Sequence, residues 1–183
     1  MKLWLIWVVA SVVSFGLGGR LGRAMGPVED AILIGYLSLS LSLLLVGLLQ
    51  WVILRPLLDV DGTWFAASVA AVLGMGVAVY GLGALNRDVG WVLGVILGWA
   101  LLGVLQGVLL RETVLAAGWW VAGHVLALIV AGPGVGFMTW LTGAPVDTVF
   151  GNLLRWAAFG AAYGATTGST LAWLLHDRPS LGT

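Results

Sequence analysis

Few side chains in this sequence could do chemistry. His124 is the one imidazole well inside an apolar run, where it could ligate a haem or a chlorophyll. A bis-histidine haem needs a second imidazole at matching depth, and the other histidine, His176, falls at the edge of the last apolar run. His124 is therefore expected to be a hydrogen-bonded structural residue, with cofactor ligation as the alternative. Gln50 and Gln106 sit inside their apolar runs, where an unpaired amide costs on the order of kcal/mol. They must face protein or water, either to join helices by hydrogen bonds or to bind a solute. Asn152 and Arg155, with Thr166 and Thr167 deeper in the same run, make a second polar stripe. Arg155 is expected to pair with Asp147 and so pin the preceding segment. Ser38 and Ser42, one turn apart, can satisfy backbone carbonyls or neighbouring helices. Arg55 and Arg111 end their runs, where a cation complements the helix dipole and reaches headgroups.

Catalytic arrangements fit poorly. The chain has no cysteine, which excludes thiolate metal sites, iron–sulfur ligation and a cysteine nucleophile. An intramembrane serine protease of the rhomboid type needs a Gly-x-Ser-Gly nucleophile followed by a histidine in a later helix. Here Gly168-Ser169 comes after His124, the reverse order. No apolar run carries an Asp or Glu pair, so proton-coupled transport and aspartyl chemistry lack their groups. The expectation is a protein that is not an enzyme, with no catalytic residue, no metal and no cofactor.

The elements that must hold these residues are membrane helices. Of the 183 residues 61% are hydrophobic and 9% charged, with a mean hydropathy of +1.07, against roughly a quarter charged in a soluble domain. Eight basic residues balance eight acidic ones, so there is no basic tract for nucleic acid. A span needs about 20 apolar residues, and the charges divide the chain into six such segments: Leu3 to Gly19, Ala31 to Leu54, Trp64 to Leu85, Gly90 to Leu110, Thr113 to Ala131, and about Phe150 to Leu175. Arg20 to Asp30, Arg55 to Gly62, Asn86 to Asp88 and Arg111 to Glu112 are the connections. Gly132 to Asp147, rich in glycine and proline, is expected to be a loop lying in the interface or dipping back into protein, a lid or docking surface. Basic residues divide evenly between the two ends, which leaves orientation open. Trp4, Trp7, Trp51, Trp64, Trp119, Trp120 and Trp173 all fall near the end holding the termini, where an aromatic belt is expected.

The chain also repeats itself. Leu45 to Gly76 set on Leu101 to Gly132 matches at about 13 of 32 positions without a gap. Gly47 pairs with Gly103, Gln50 with Gln106, Arg55 with Arg111, Gly62 with Gly118, Trp64 with Trp120 and Gly76 with Gly132. Trp7, Ser11 and Gly19 follow the spacing of Trp64, Ser68 and Gly76, and Gly160, Gly164 and Gly168 echo Gly90, Gly94 and Gly98. The expected architecture is all-α and integral to the membrane, a single domain over residues 1–183 of six transmembrane helices. Its hairpins would repeat over about 38–76 and 94–132, with 1–19 and 150–176 as a split third copy, around a pseudo-threefold axis along the membrane normal. Gly-x-x-x-Gly ladders let such helices approach closely.

The Gly-x-x-Gln-x-x-x-Leu-Arg helix ends, each followed by a Trp-initiated helix, resemble those of small uncharacterised six-helix membrane proteins of photosynthetic and other bacteria. The chain also looks like an accessory membrane subunit of a bacterial electron-transfer assembly such as alternative complex III. These resemblances imply a multi-pass protein of the bacterial inner (cytoplasmic) membrane, a non-catalytic subunit whose partners are other integral membrane subunits and lipids. As the alternative, six helices in so short a chain resemble the substrate-binding subunits of energy-coupling factor vitamin transporters, though the Ala-x-x-x-Ala coupling motif of that family's first helix is missing. On that reading Gln50, Gln106, His124 and the segment Gly132 to Asp147 would bind or cover a vitamin-like solute.

Overall fold

The computed structural model describes residues 2–26, 29–58, 60–111, 117–143 and 148–176. They form six α-helices: α1 (Lys2–Met25), α2 (Ala31–Leu58), α3 (Thr63–Gly83), α4 (Arg87–Leu110), α5 (Gly118–Thr142) and α6 (Val149–His176). There is no strand among the described residues. Helices α1 to α4 are long and apolar enough to cross a membrane, so the chain is an all-helical membrane protein of the multi-pass kind.

Local chemistry sets where helices begin and end. A helix leaves its first four N–H groups unpaired, and an oxygen-bearing side chain just before it can accept from one of them. Asp30 accepts from the Leu33 N–H at 2.9 Å, Asn86 from Val89 at 3.0 Å and Thr148 from Gly151 at 3.0 Å. Thus α2, α4 and α6, which all start at the same end of the molecule, each start from a capped turn.

Every helix packs along its neighbours in sequence, and α6 returns to pack along α1, so the six close into a ring. Glycines set the spacing. A methyl group added at Gly18 or Gly22 would collide with the α2 backbone at Ser42 or Ser38, and one at Gly90 or Gly94 with the α3 backbone. At Gly160 it would strike the α1 backbone at Ser11 and Val12. Helix pairs this close gain dispersion and weak backbone contacts, the attraction that remains available when lipid offers no hydrophobic drive.

The distribution of polarity is inverted relative to a water-soluble fold. Leu5, Val9, Val13 and Leu17 on α1, and Val92, Leu93, Ile96 and Leu97 on α4, point outward and exposed. Ser11, Ser14, Ser38, Ser42, Gln50, Ser68, Gln106, His124 and Thr167 are buried. Such an exterior is stable only against hydrocarbon, and polar groups then turn inward to find partners. Ser38 donates to the Gly19 carbonyl at 3.2 Å and Ser42 to the Ser38 carbonyl at 2.7 Å.

Three expectations need correction. Helix α2 runs through Arg55 and Pro56 to Leu58, into the expected Arg55 to Gly62 connection. Helix α1 runs on through Arg20 and Arg23 to Met25 rather than stopping at Gly19; both cations sit in its last turns, where the dipole favours them and their stems can lie along the helix. More consequentially, Gly132 to Thr142 is not a loop, because α5 continues past Pro133 to Thr142. A proline inside a helix forfeits a single backbone hydrogen bond, whereas a loop in an apolar setting would leave many groups unpaired. The real stop signal is Gly143, whose φ of 59° is the left-handed conformation that glycine adopts without strain at a helix C-terminus. Residues 144–147, including Asp147, lie outside the described residues, as does the expected Arg155–Asp147 pair.

Candidate functional site

Two polar regions occupy the ring interior. The first lies toward the end where α1 begins and α6 stops. Trp7, Trp64 and Trp120 are completely buried there, and Trp120 meets both of the others, with ring centroids 6.0 Å apart for Trp7–Trp120 and 5.9 Å for Trp64–Trp120. The expected aromatic belt is thus only partly interfacial: these three form core, while Trp119 and Trp173 stand exposed edge to face at 6.0 Å.

Around the three indoles sit the residues singled out by their polarity. Trp120 Nε1 donates to Gln106 Oε1 at 3.2 Å, and Trp7 Nε1 donates to Thr167 Oγ1 at 3.0 Å. His124 Nδ1 lies 3.0 Å from the Trp120 carbonyl, which can only accept, so Nδ1 carries the proton. Nε2 then accepts from the Tyr163 hydroxyl at 3.1 Å. Both imidazole nitrogens are engaged within the protein, and a metal at Nε2 would have to displace Tyr163. Gln50 faces the same Tyr163 hydroxyl, yet neither of its amide atoms, nor Trp64 Nε1, Ser68 Oγ or Gln106 Nε2, makes a hydrogen bond. Arg55 and Arg111 are exposed at the helix ends, Arg55 over the Trp51 ring at 5.8 Å.

The second region is a cavity of about 580 Å³ at the opposite end of the ring. It falls within the range of about 300–1,000 Å³ typical of small-molecule sites. Arg23 from α1, Ser38 from α2, and Asn152 and Arg155 from α6 supply its polar groups; Trp91 and Trp99 from α4, Trp156 and Phe159 from α6, and Leu39 and Leu128 supply apolar and aromatic wall. Helices α1, α2, α4, α5 and α6 all contribute, so the cavity is a vestibule within the ring rather than a surface groove.

Its electrostatics are one-sided. No Asp or Glu is among the described residues that line it. The one ion pair among the described residues, Arg87–Asp30, lies outside it, beside Tyr36 and Tyr80. There the Leu33 N–H, followed by the Arg87 charge, holds the Asp30 carboxyl below its ordinary value. Arg155 Nε and Asn152 Oδ1 are shielded from solvent without a hydrogen bond, and so is Trp99 Nε1 deeper in the wall.

The polar residues picked out by sequence therefore separate. Gln50, Gln106 and His124 gather at one end, Asn152 and Arg155 at the other, and Arg55 and Arg111 lie outside both. Of the other lining residues, Arg23 has one sequence signal, that Arg20, Arg23, Arg87 and Arg155 all fall at the end opposite the termini; Trp91, Trp99 and Trp156 have none. Comparison with protein-family models, with curated proteins and with solved structures yields no match.

Proposed function

We propose that the chain is a six-span, non-catalytic protein of a bacterial cytoplasmic membrane that binds a small solute in its vestibule. The observation that carries this reading is the cavity of about 580 Å³ inside the ring, with two arginines and four aromatic rings on its wall. A purely packed bundle has no need of such a space, since voids and unpaired polar atoms both cost stability.

Support for six spans comes from the closed ring, because α5 (25 residues) and α6 (28 residues) match the length of the four apolar helices beside them. The repeat gains a register from the contacts. Gly47 abuts Ser68, Gly103 abuts His124 and Gly164 abuts Ser11. In that register Thr167 takes the place of Gln50 and Gln106, and its bond from Trp7 is the counterpart of the Gln106 bond from Trp120. The caps Asp30 and Asn86 recur in step, and Thr148 caps α6 one residue later than that register. Gly160, Gly164 and Gly168 face α1, whereas Gly90, Gly94 and Gly98 face α3, so these two ladders serve different interfaces.

A second reading, the accessory subunit of a larger membrane complex such as an electron-transfer or photosynthetic assembly, draws on the end of the molecule near Gly143. Phe137, Trp140, Leu141 and Phe150 are exposed there, and aromatic side chains of this kind suit either a lipid headgroup layer or a protein neighbour.

One experiment addresses both. Tagged chain extracted directly into lipid nanodiscs is expected to carry a small molecule near 1:1, which mass spectrometry detects, and a Val95→Trp variant that fills the vestibule is expected to lose it. An empty wild-type chain that no solute in a panel of vitamins and membrane-soluble acids protects against heat would contradict solute binding. A partner protein retained equally by wild type and Val95→Trp, with no small molecule, would favour the subunit reading instead.

A further inference from the structure

We propose that the vestibule selects an amphipathic oxyanion: a single phosphate or carboxylate group joined to an apolar body, the head held between Arg23 and Arg155 and the body lying against the tryptophans. This rests on the solute-binding reading above and names its ligand class. Three observations lead to it. The wall carries two guanidinium groups, neither in an ion pair among the described residues, and no carboxylate among its described lining. A guanidinium donates in a planar fork that matches an oxyanion better than any neutral group, and the donor Arg155 Nε is shielded and unpaired. Beyond the cations the wall turns aromatic, through Trp91 and Trp156 to Trp99 and Phe159. Only one end of the ligand is therefore to be solvated by charge, and the rest must be apolar.

A second cationic side chain with no counter-anion among the described residues is a burden to the fold, since a half-buried charge is partly desolvated. An anionic head removes that cost for both arginines at once, which gives the site its preference over an uncharged amphiphile of the same size. The unpaired Asn152 Oδ1 adds specificity: it can accept from a protonated or hydroxyl-bearing head and repels a fully ionised one that approaches it directly.

The test uses wild-type chain in nanodiscs of zwitterionic phosphatidylcholine, with dodecyl phosphate, dodecanol and inorganic phosphate as probes. Dodecyl phosphate is expected to raise the melting temperature saturably, while dodecanol and inorganic phosphate leave it nearly unchanged. Arg23→Gln and Arg155→Gln should each weaken the apparent affinity by about tenfold or more. Arg23→Lys and Arg155→Lys, which keep the charge, should retain part of it and guard against a simple folding defect. Equal stabilisation by dodecanol, undiminished in the glutamine variants, overturns the anionic preference and leaves solute binding standing. Stabilisation by inorganic phosphate alone removes the apolar body from the proposal. If none of the probes binds although a molecule is recovered from wild type and lost in Val95→Trp, the ligand class is wrong and the vestibule reading survives. Failure of all of these together ends both.

Discussion

Replacing Trp120 with alanine is expected to lower stability by about 3–5 kcal/mol, the range for truncating a buried tryptophan. Trp120 has no exposed surface, touches Trp7, Trp64 and His124, and holds Gln106 by its indole N–H. Two effects can be separated. Trp120→Phe keeps most of the ring volume but strips the donor, leaving Gln106 Oε1 buried beside an amide nitrogen that is already unpaired. That should cost about 1–3 kcal/mol, the penalty for a stranded polar atom, and adding Gln106→Leu should recover part of it. In Trp64→Phe no such bond is lost, because Trp64 Nε1 and Gln50 make none, so the change should cost less. Unfolding by heat or denaturant in mild detergent, followed through the far-ultraviolet helical signal, gives all four values. Equal penalties for Trp64→Phe and Trp120→Phe would show that the indole–amide bond contributes little.

The second large effect belongs to the α1–α2 contact. Gly18→Leu should prevent the two helices from closing, because even its Cβ would overlap the Ser42 backbone, which has no freedom to swing aside as a side-chain tip would. Gly18→Ala isolates that first carbon and is expected to cost about 1–3 kcal/mol, as overpacking does. Gly81→Ala supplies the control: nothing lies within 4 Å of its added methyl, and in a helix alanine is favoured over glycine by about 1 kcal/mol. Gly81→Ala should therefore be neutral or stabilising. The same sensitivity at both glycines would mean that α1 and α2 are not held at backbone contact.

How far these features were legible in the sequence depends on the physics behind each. Membrane helices show in composition alone, because a lipid-facing exterior and a packed interior are both apolar and no soluble surface can be built from what is left. Helix starts were legible to within a few residues where a charge or an Asn stands, as at Asp30 and Asn86. The stop of α5 was not, because Gly132 and Pro133 carry a strong turn signal in water that loses its force where each unpaired carbonyl is expensive. Gln50 and Gln106 were recognisable as inward-facing from the cost of burying an amide. The bond between Gln106 and Trp120 was not, since the repeat aligns positions along the chain and says nothing of which side chains meet inside the ring. The tryptophans illustrate the same gap: seven near one end suggest an interfacial belt, and only packing tells that Trp7, Trp64 and Trp120 fill the centre. The vestibule was the least legible part. Its arginines come from the last turns of α1 and the first turns of α6, and nothing local to Arg23 or Arg155 marks a shared space until the ring closes.

The most direct measurement of the vestibule exploits the absence of native cysteine. A thiol reacts with a charged, membrane-impermeant maleimide only where water can reach and ionise it. Val95→Cys, on the vestibule wall, is expected to label rapidly from one side of a sealed vesicle and to be protected by a bound solute, whereas Leu97→Cys, exposed on the outer face of the same helix, should stay unreactive in lipid. Equal lack of reaction at the two positions, or labelling of Val95→Cys that no solute slows, would contradict a water-accessible binding vestibule inside the ring.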